Sequence, residues 1–136
     1  MLCRFCLLLS AFSIAGPMSF AAEPAAAKPK IVIIAGPKSH GPVGNGMHDY
    51  GWSAKLLKVM LDNSNVADQV RVEIHLDGWP ADPSTLDDAA TIMVISDGRD
   101  GPAFTEALHF ASPQNIAAVQ QQIDRGCGFL TFHFST

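Results

Sequence analysis

The sequence predicts an α/β domain built on a doubly wound parallel sheet, and three observations carry that prediction. A β-branched run, Ile31 to Ile34, opens into a glycine-rich loop and then into an amphipathic segment. A second run, Thr91 to Ser96, is almost continuously apolar, as a strand buried on both faces must be. Strand-like and helix-like periodicities then alternate along the chain, which favours parallel strands joined by right-handed crossovers.

Each element follows from local pattern. The first strand is read at Lys30 to Ala35. A helix is expected from about Gly51 to Asp62, with Trp52, Leu56, Val59 and Met60 on its buried face, Lys55 and Lys58 flanking, and Asn63-Ser64-Asn65 ending it. The second strand, Val70 to Leu76, alternates apolar with polar residues, so one face is wetter and the strand belongs toward a sheet edge. Ser84 is expected to cap a short turn, Thr85 to Ala89. Thr91 to Ser96 forms a central third strand. Ser112 and Pro113 stand in the cap and first-turn positions of a second helix, Ile116, Val119 and Ile123 mark its buried stripe, and Gly126 stops it. Gly128 to Phe132 or His133 is the fourth strand. This order matches a flavodoxin-like sheet, 2-1-3-4-5, and reads as that pattern ending after its fourth strand.

The flanks and the charge set the context. Residues 1–21 hold a basic Arg4, an apolar run from Phe5 to about Ala15 and small residues at Ser19 and Ala21. That is a cleavable secretory signal rather than a membrane span, which predicts a periplasmic or secreted protein. Residues 22–29 read as a flexible leader, and residues 30–136 as the domain. Losing Arg4 with the signal takes Lys+Arg from 9 to 8 against 13 Asp+Glu, and the formal charge from −4 to −5. No basic patch exists to attract nucleic acid or an anionic membrane. Cys3 and Cys6 leave with the signal, so the remaining Cys127 has no intramolecular disulfide partner, and its place before the fourth strand marks it as a small buried side chain.

In an open parallel sheet the ligand lies beyond the carboxyl ends of the strands. The first strand delivers Gly36, Lys38, Ser39 and His40 to that rim, the third delivers Ser96, Asp97 and Gly98, and the fourth delivers His133 and Ser135. His40 suits acid, base or ligand chemistry, against the alternative of bonding its own loop's carbonyls. Asp97 ends the most buried strand, where an ionised carboxylate needs partners; an Asx turn is the alternative. His48 is divided evenly between the site and the helix cap, whereas Asp49 reads as the cap. Phosphate-loop readings fail, because Gly41 to Gly46 is followed by Met47-His48 rather than Lys-Ser or Lys-Thr. A zinc centre of His40, His48, Asp97 and His133 stays open, since N and O ligands suit zinc, although helical His-x-x-x-His spacing is absent. No metal ligand set is assigned and no cofactor is required, but a divalent metal is compatible with these residues.

Four segments in order carry a family resemblance: the loop Gly36-Pro37-Lys38-Ser39-His40-Gly41 with His48 and Asp49 following, the turn Gly78-Trp79-Pro80, the strand Thr91 to Gly98, and Gly126 to Ser135 with His133 at the strand's end. Together they resemble the ThuA-like family, named for trehalose utilisation. The resemblance implies a three-layer fold of the class I glutamine amidotransferase type with His133 where those enzymes keep a nucleophilic cysteine, so acyl-enzyme chemistry is disfavoured. Arg99, Asp100 and Pro102 depart from the glycine- and histidine-rich loop of many relatives, with His109 as a candidate substitute. The expected function is to act on or bind a sugar or sugar-derived small molecule. His40 and His133 would be proton carriers, Asp97 would orient one of them or a hydroxyl, and Gly36, Lys38, Ser39, His48, Gly98 and Ser135 would contact substrate. Trp79 is a candidate platform for a sugar face, though packing beneath its turn suits it better. The alternative is a non-catalytic binding or scaffolding module on the same fold.

Overall fold

The structure is a computed structural model that describes residues 26–42, 44–97, 112–133 and 135. The proposed signal segment and residues 98–111, with Arg99, Asp100, Pro102 and His109, lie outside the described residues. The described elements are β1 (Lys30–Ala35), α1 (Tyr50–Asp62), β2 (Arg71–His75), a 3-10 turn (Pro83–Leu86), β3 (Ala89–Ile95), α2 (Pro113–Asp124) and β4 (Gly128–Phe132). The strands form one all-parallel sheet in the order β2-β1-β3-β4. This is the flavodoxin-like α/β arrangement that the sequence pattern predicts, with the alternating strand β2 at an edge. Among the described residues, no helix is long and apolar enough to cross a membrane.

The central strands β1 and β3 feed two cores because successive side chains point to opposite faces. Val32 and Ile34 join Leu86, Ala89, Ile92, Val94 and Cys127 on one side, with Trp79 and Phe129 packed against them. Ile33, Ala35 and Ile95 join Tyr50 and Ala54 of α1 on the other. Lys30, only 4% exposed, begins β1 by donating to Thr85 O and pairing with Asp88. Burial pushes the Cys127 thiol pKa up, as an inert packing role requires.

Both helices present different faces to the sheet from those their periodicity suggests. On α1 the inward residues are Tyr50, Ala54, Leu57 and Leu61, while Trp52, Leu56, Val59 and Met60 are 51–64% exposed. Both sets keep helical spacing, so periodicity admits two stripes; Ala54, fully buried, lets the helix lie close to β1. On α2, Val119 is buried but Ile116 and Ile123 are 45% and 40% exposed. Gln122 takes the inward place, donating to Asp87 and accepting from Arg125, whose guanidinium also donates to Leu86 O and Ala89 O. These bonds satisfy carbonyls between the 3-10 turn and β3, and so fix the roll of the helix.

The caps follow the chain's own chemistry. Asp49 accepts from Trp52 N–H at the start of α1, and Ser112 accepts from Gln114 N–H at the start of α2. The 3-10 turn is capped by Asp82 rather than Ser84, whose own N–H is the donor to it. At the end of α2, Gly126 N–H donates to Ile123 O and Cys127 N–H to Gln122 O, with Gly126 at φ +94. That pair of bonds is a Schellman motif, which needs a left-handed residue where it leaves the helix. Nothing lies within 4 Å of a Cβ built at Gly126, so Gly126→Ala tests the backbone term alone. It is expected to lower stability by about 1–2 kcal/mol, read as a lower denaturant midpoint at unchanged slope.

Candidate functional site

The parallel register decides what meets at the rim. Ala35 lies opposite Ile95, and Ile95 opposite Phe132, so β1, β3 and β4 end level with one another. Gly36 N–H donates to Ile95 O at 2.9 Å, carrying the β1–β3 pairing one residue past the strand. The chain then turns outward as the loop that ends at α1. Lys38 braces this loop, its ammonium donating to Asn45 Oδ1 at 2.6 Å and to Met47 O. Asn45 also accepts from Met47 N–H. A side chain at Gly41, where φ is +67, would run into that same Asn45 amide.

Ser39 is the hub of the cluster. Its hydroxyl donates to Asp97 Oδ2 at 2.5 Å and lies 2.8 Å from His40 Nδ1 and 3.2 Å from His48 Nδ1. Both imidazole Nδ1 atoms are 3.3 Å from the same Asp97 oxygen. The Tyr50 hydroxyl, at the first position of α1, reaches His48 Nδ1 at 3.0 Å. The His133 ring stands against the cluster, 5.0 Å from His48 and 5.7 Å from Tyr50 between ring centroids. The Asp97 carboxyl is held below the usual carboxylate range, first by the Ser39 hydroxyl and then by His48 and His40, against the opposing effect of burial. Tyr50 is shifted up, mainly by burial.

The expected residues thus divide. His40, His48, Asp97 and Ser39 come together, with His133 beside them. His48 belongs to the cluster while Asp49 alone caps the helix. His40 bonds the hydroxyl of the adjacent Ser39 and lies 3.3 Å from Asp97 across the rim, rather than bonding its own loop's carbonyls, and Asp97 is engaged across loops by Ser39. Lys38 and Gly36 support the loop and line a neighbouring cleft of about 640 Å³, together with Asp49, Trp52, Lys55 and Asp77. Ser135 does not face the rim as expected: it is 2% exposed, and its hydroxyl accepts from Ser96 N–H at 3.0 Å and reaches Val94 O and Ser96 O. A residue just past β4 must satisfy β3 backbone groups that would otherwise be buried unpaired, and that demand takes the hydroxyl from solvent. Trp79 is half-buried, packed against the core, and its remaining surface lines a separate cleft of about 540 Å³ with Pro80 and Gln114, away from the histidine cluster. Gly98 lies outside the described residues.

Tyr50 and Asn45 are not legible as site residues in the sequence. The signal for Tyr50 lies two residues after His48, at the helix's first turn, and a reading of α1 that turns Trp52 inward hides it. His48 and His133 also share an unusual backbone, with φ of 46° and 64° in the left-handed region. Such non-glycine conformations cost on the order of 1 kcal/mol each, and two of them bring their imidazoles to one place.

Comparison of the chain with protein-family models, curated proteins and solved structures finds no match. The assignment of chemistry therefore rests on the residues themselves.

A pair of substitutions separates the two polar residues that follow β4. His133→Gly relieves the left-handed strain and is expected to leave stability unchanged or raise it by up to about 1 kcal/mol. Ser135→Ala strands the Ser96 N–H and is expected to cost about 1–3 kcal/mol. Thermal and denaturant unfolding measure both; a larger loss for His133→Gly than for Ser135→Ala would make His133 the structural residue and Ser135 the dispensable one.

Proposed function

We propose that this chain is an exported ThuA-like domain protein that acts by acid–base chemistry on a sugar or sugar-derived small molecule, a keto-sugar or a glycoside. One observation supports the chemistry above all. Three imidazoles, a carboxylate, a serine hydroxyl and a phenol, drawn from the loops after β1 and β3, the start of α1 and the end of β4, converge on a few ångströms of one rim. Polyols are recognised by such alternating donors and acceptors, and an imidazole is the side chain best suited to move a proton near neutral pH.

The cleft beside the cluster supports the substrate class. Trp52, 64% exposed, stands in its wall with Lys55, Asp49 and Asp77. An indole face covers the apolar side of a sugar ring, while the charged groups bond its hydroxyls. In this reading His133 takes or returns the proton at the reacting sugar carbon or oxygen. The Ser39, His40, His48 and Asp97 cluster holds the neighbouring hydroxyl or carbonyl. The family assignment rests on the motifs in sequence, and export rests on residues 1–21.

A second reading has its own support. The His40 side chain is 57% exposed and His133 lies open to water, as suits a module that binds a ligand without turning it over.

Turnover distinguishes the two. With a panel of keto-glycosides and disaccharides, His133→Gln is expected to keep affinity within a few-fold while kcat falls by roughly two to four orders of magnitude, the usual contribution of a general acid or base. Unchanged kcat with lost affinity would make His133 a binding contact. Tight binding by the wild type with no turnover of any member would establish the binding module instead.

A further inference from the structure

We propose that His40, His48 and Asp97 are the protein ligands of a zinc-type divalent metal site, with His133 standing beside its open face. The inference concerns the same rim but does not depend on the substrate being a sugar.

Zinc bound to imidazole nitrogen and carboxylate oxygen at about 2.0–2.1 Å in a tetrahedron separates its ligand atoms by about 3.3–3.4 Å. Asp97 Oδ2 lies 3.3 Å from His40 Nδ1 and 3.3 Å from His48 Nδ1. All three donor atoms lie within 4.8 Å of one another. The exposed His40 ring can adjust its approach by turning about its own side chain. Ser39 Oγ, 2.5–3.2 Å from each of these donors, is at hydrogen-bond distance from all three and holds them facing one another.

Polar atoms also crowd His48 Nδ1 and Asp97, with no lysine or arginine side chain of the described residues among them. The Ser39 hydroxyl has a single proton and gives it to Asp97 at the shortest of the contacts. Each Nδ1 has one in-plane site, yet His48 Nδ1 faces the Tyr50 hydroxyl, the Ser39 hydroxyl and a carboxylate oxygen, all within 3.3 Å. Among the described residues no lysine or arginine pairs with Asp97; its ion-pair partners are the two histidines. Lys38, the nearest ammonium along the chain, is already bound to Asn45 and Met47.

The donor set selects the metal. Two imidazoles with one carboxylate favour zinc, cobalt or iron over magnesium and calcium, which take oxygen ligands. Three protein ligands leave a position for water or substrate, the pattern of a catalytic rather than a structural zinc site. Bound there, the metal would acidify a water or polarise a carbonyl. His40 then serves as a ligand, and His133 is left as the proton carrier.

Metal uptake by the full-length protein decides the matter. After treatment with a chelator and dialysis, the wild type is titrated with Co²⁺, whose visible absorption reports tetrahedral N/O ligation, and with Zn²⁺ by calorimetry. The expected result is one equivalent of either ion, with the intense visible bands of a tetrahedral cobalt site and a melting temperature that rises with zinc. His40→Ala, at an exposed position, and the isosteric Asp97→Asn should each weaken uptake at least 100-fold. His75→Ala, on β2 and bonded to Glu73, should leave it unchanged. A wild type that takes up no stoichiometric Co²⁺ or Zn²⁺, or uptake that survives both His40→Ala and Asp97→Asn, overturns the proposal.

Discussion

The pairing of β1 with β3 is the constraint on which the rest of this molecule depends. Five consecutive residue pairs, Ile31–Thr91 through Ala35–Ile95, hold the two central strands in parallel register. A slip of one residue would turn every side chain of β1 to the other face and exchange the two cores. It would also move Ser39 away from Asp97, so the contact at the head of the site follows directly from strand register. Gly36, whose N–H continues the ladder to Ile95 O, is the last residue at which the sheet dictates position. Beyond it the loop is held by side chains.

Those side chains work in two layers. Lys38 and Asn45 tie the loop to itself, while Ser39 and Asp97 tie it to the end of β3. The first layer is exposed and made of single hydrogen bonds, each contributing on the order of 1 kcal/mol. The second is partly shielded, and there the low exposure of Asp97 strengthens each bond that reaches it. The shape of the loop is thus a modest local preference, but the placement of Ser39 is not. Tyr50 extends the second layer into the core, since its ring is buried under α1 while its hydroxyl reaches His48.

Much of this is legible in the residues, for identifiable reasons. Strand order, the edge place of β2 and the common rim follow from hydrophobic pattern and from the rule that parallel strands deliver their carboxyl ends together. His40, His48, Asp97 and Ser39 can be named because they closely follow strands or precede a helix at one rim. Helix orientation cannot be read, because α1 carries two apolar stripes and only the sheet beneath decides which one is buried. The same ambiguity misplaces Ile116 and Ile123 on α2, where a polar network of Gln122 and Arg125 sets the roll. Ser135 escapes the sequence for a different reason. Sequence places a hydroxyl past a strand, but the backbone demand of the adjacent strand determines whether it faces water.

The two tryptophans of the chain stand in contrasting surroundings, and that gives the molecule two built-in optical reporters. Trp79 packs against the core that β1 and β3 share, so its emission should stay blue-shifted while the sheet is intact. Trp52 projects from α1 into the cleft wall, largely in water, and its emission should be red-shifted and open to collisional quenchers. A ligand seated in the cleft would shield Trp52 and leave Trp79 alone, whereas unfolding would move Trp79 toward the solvent spectrum. Selective quenching therefore separates occupancy from integrity in a single unlabelled sample.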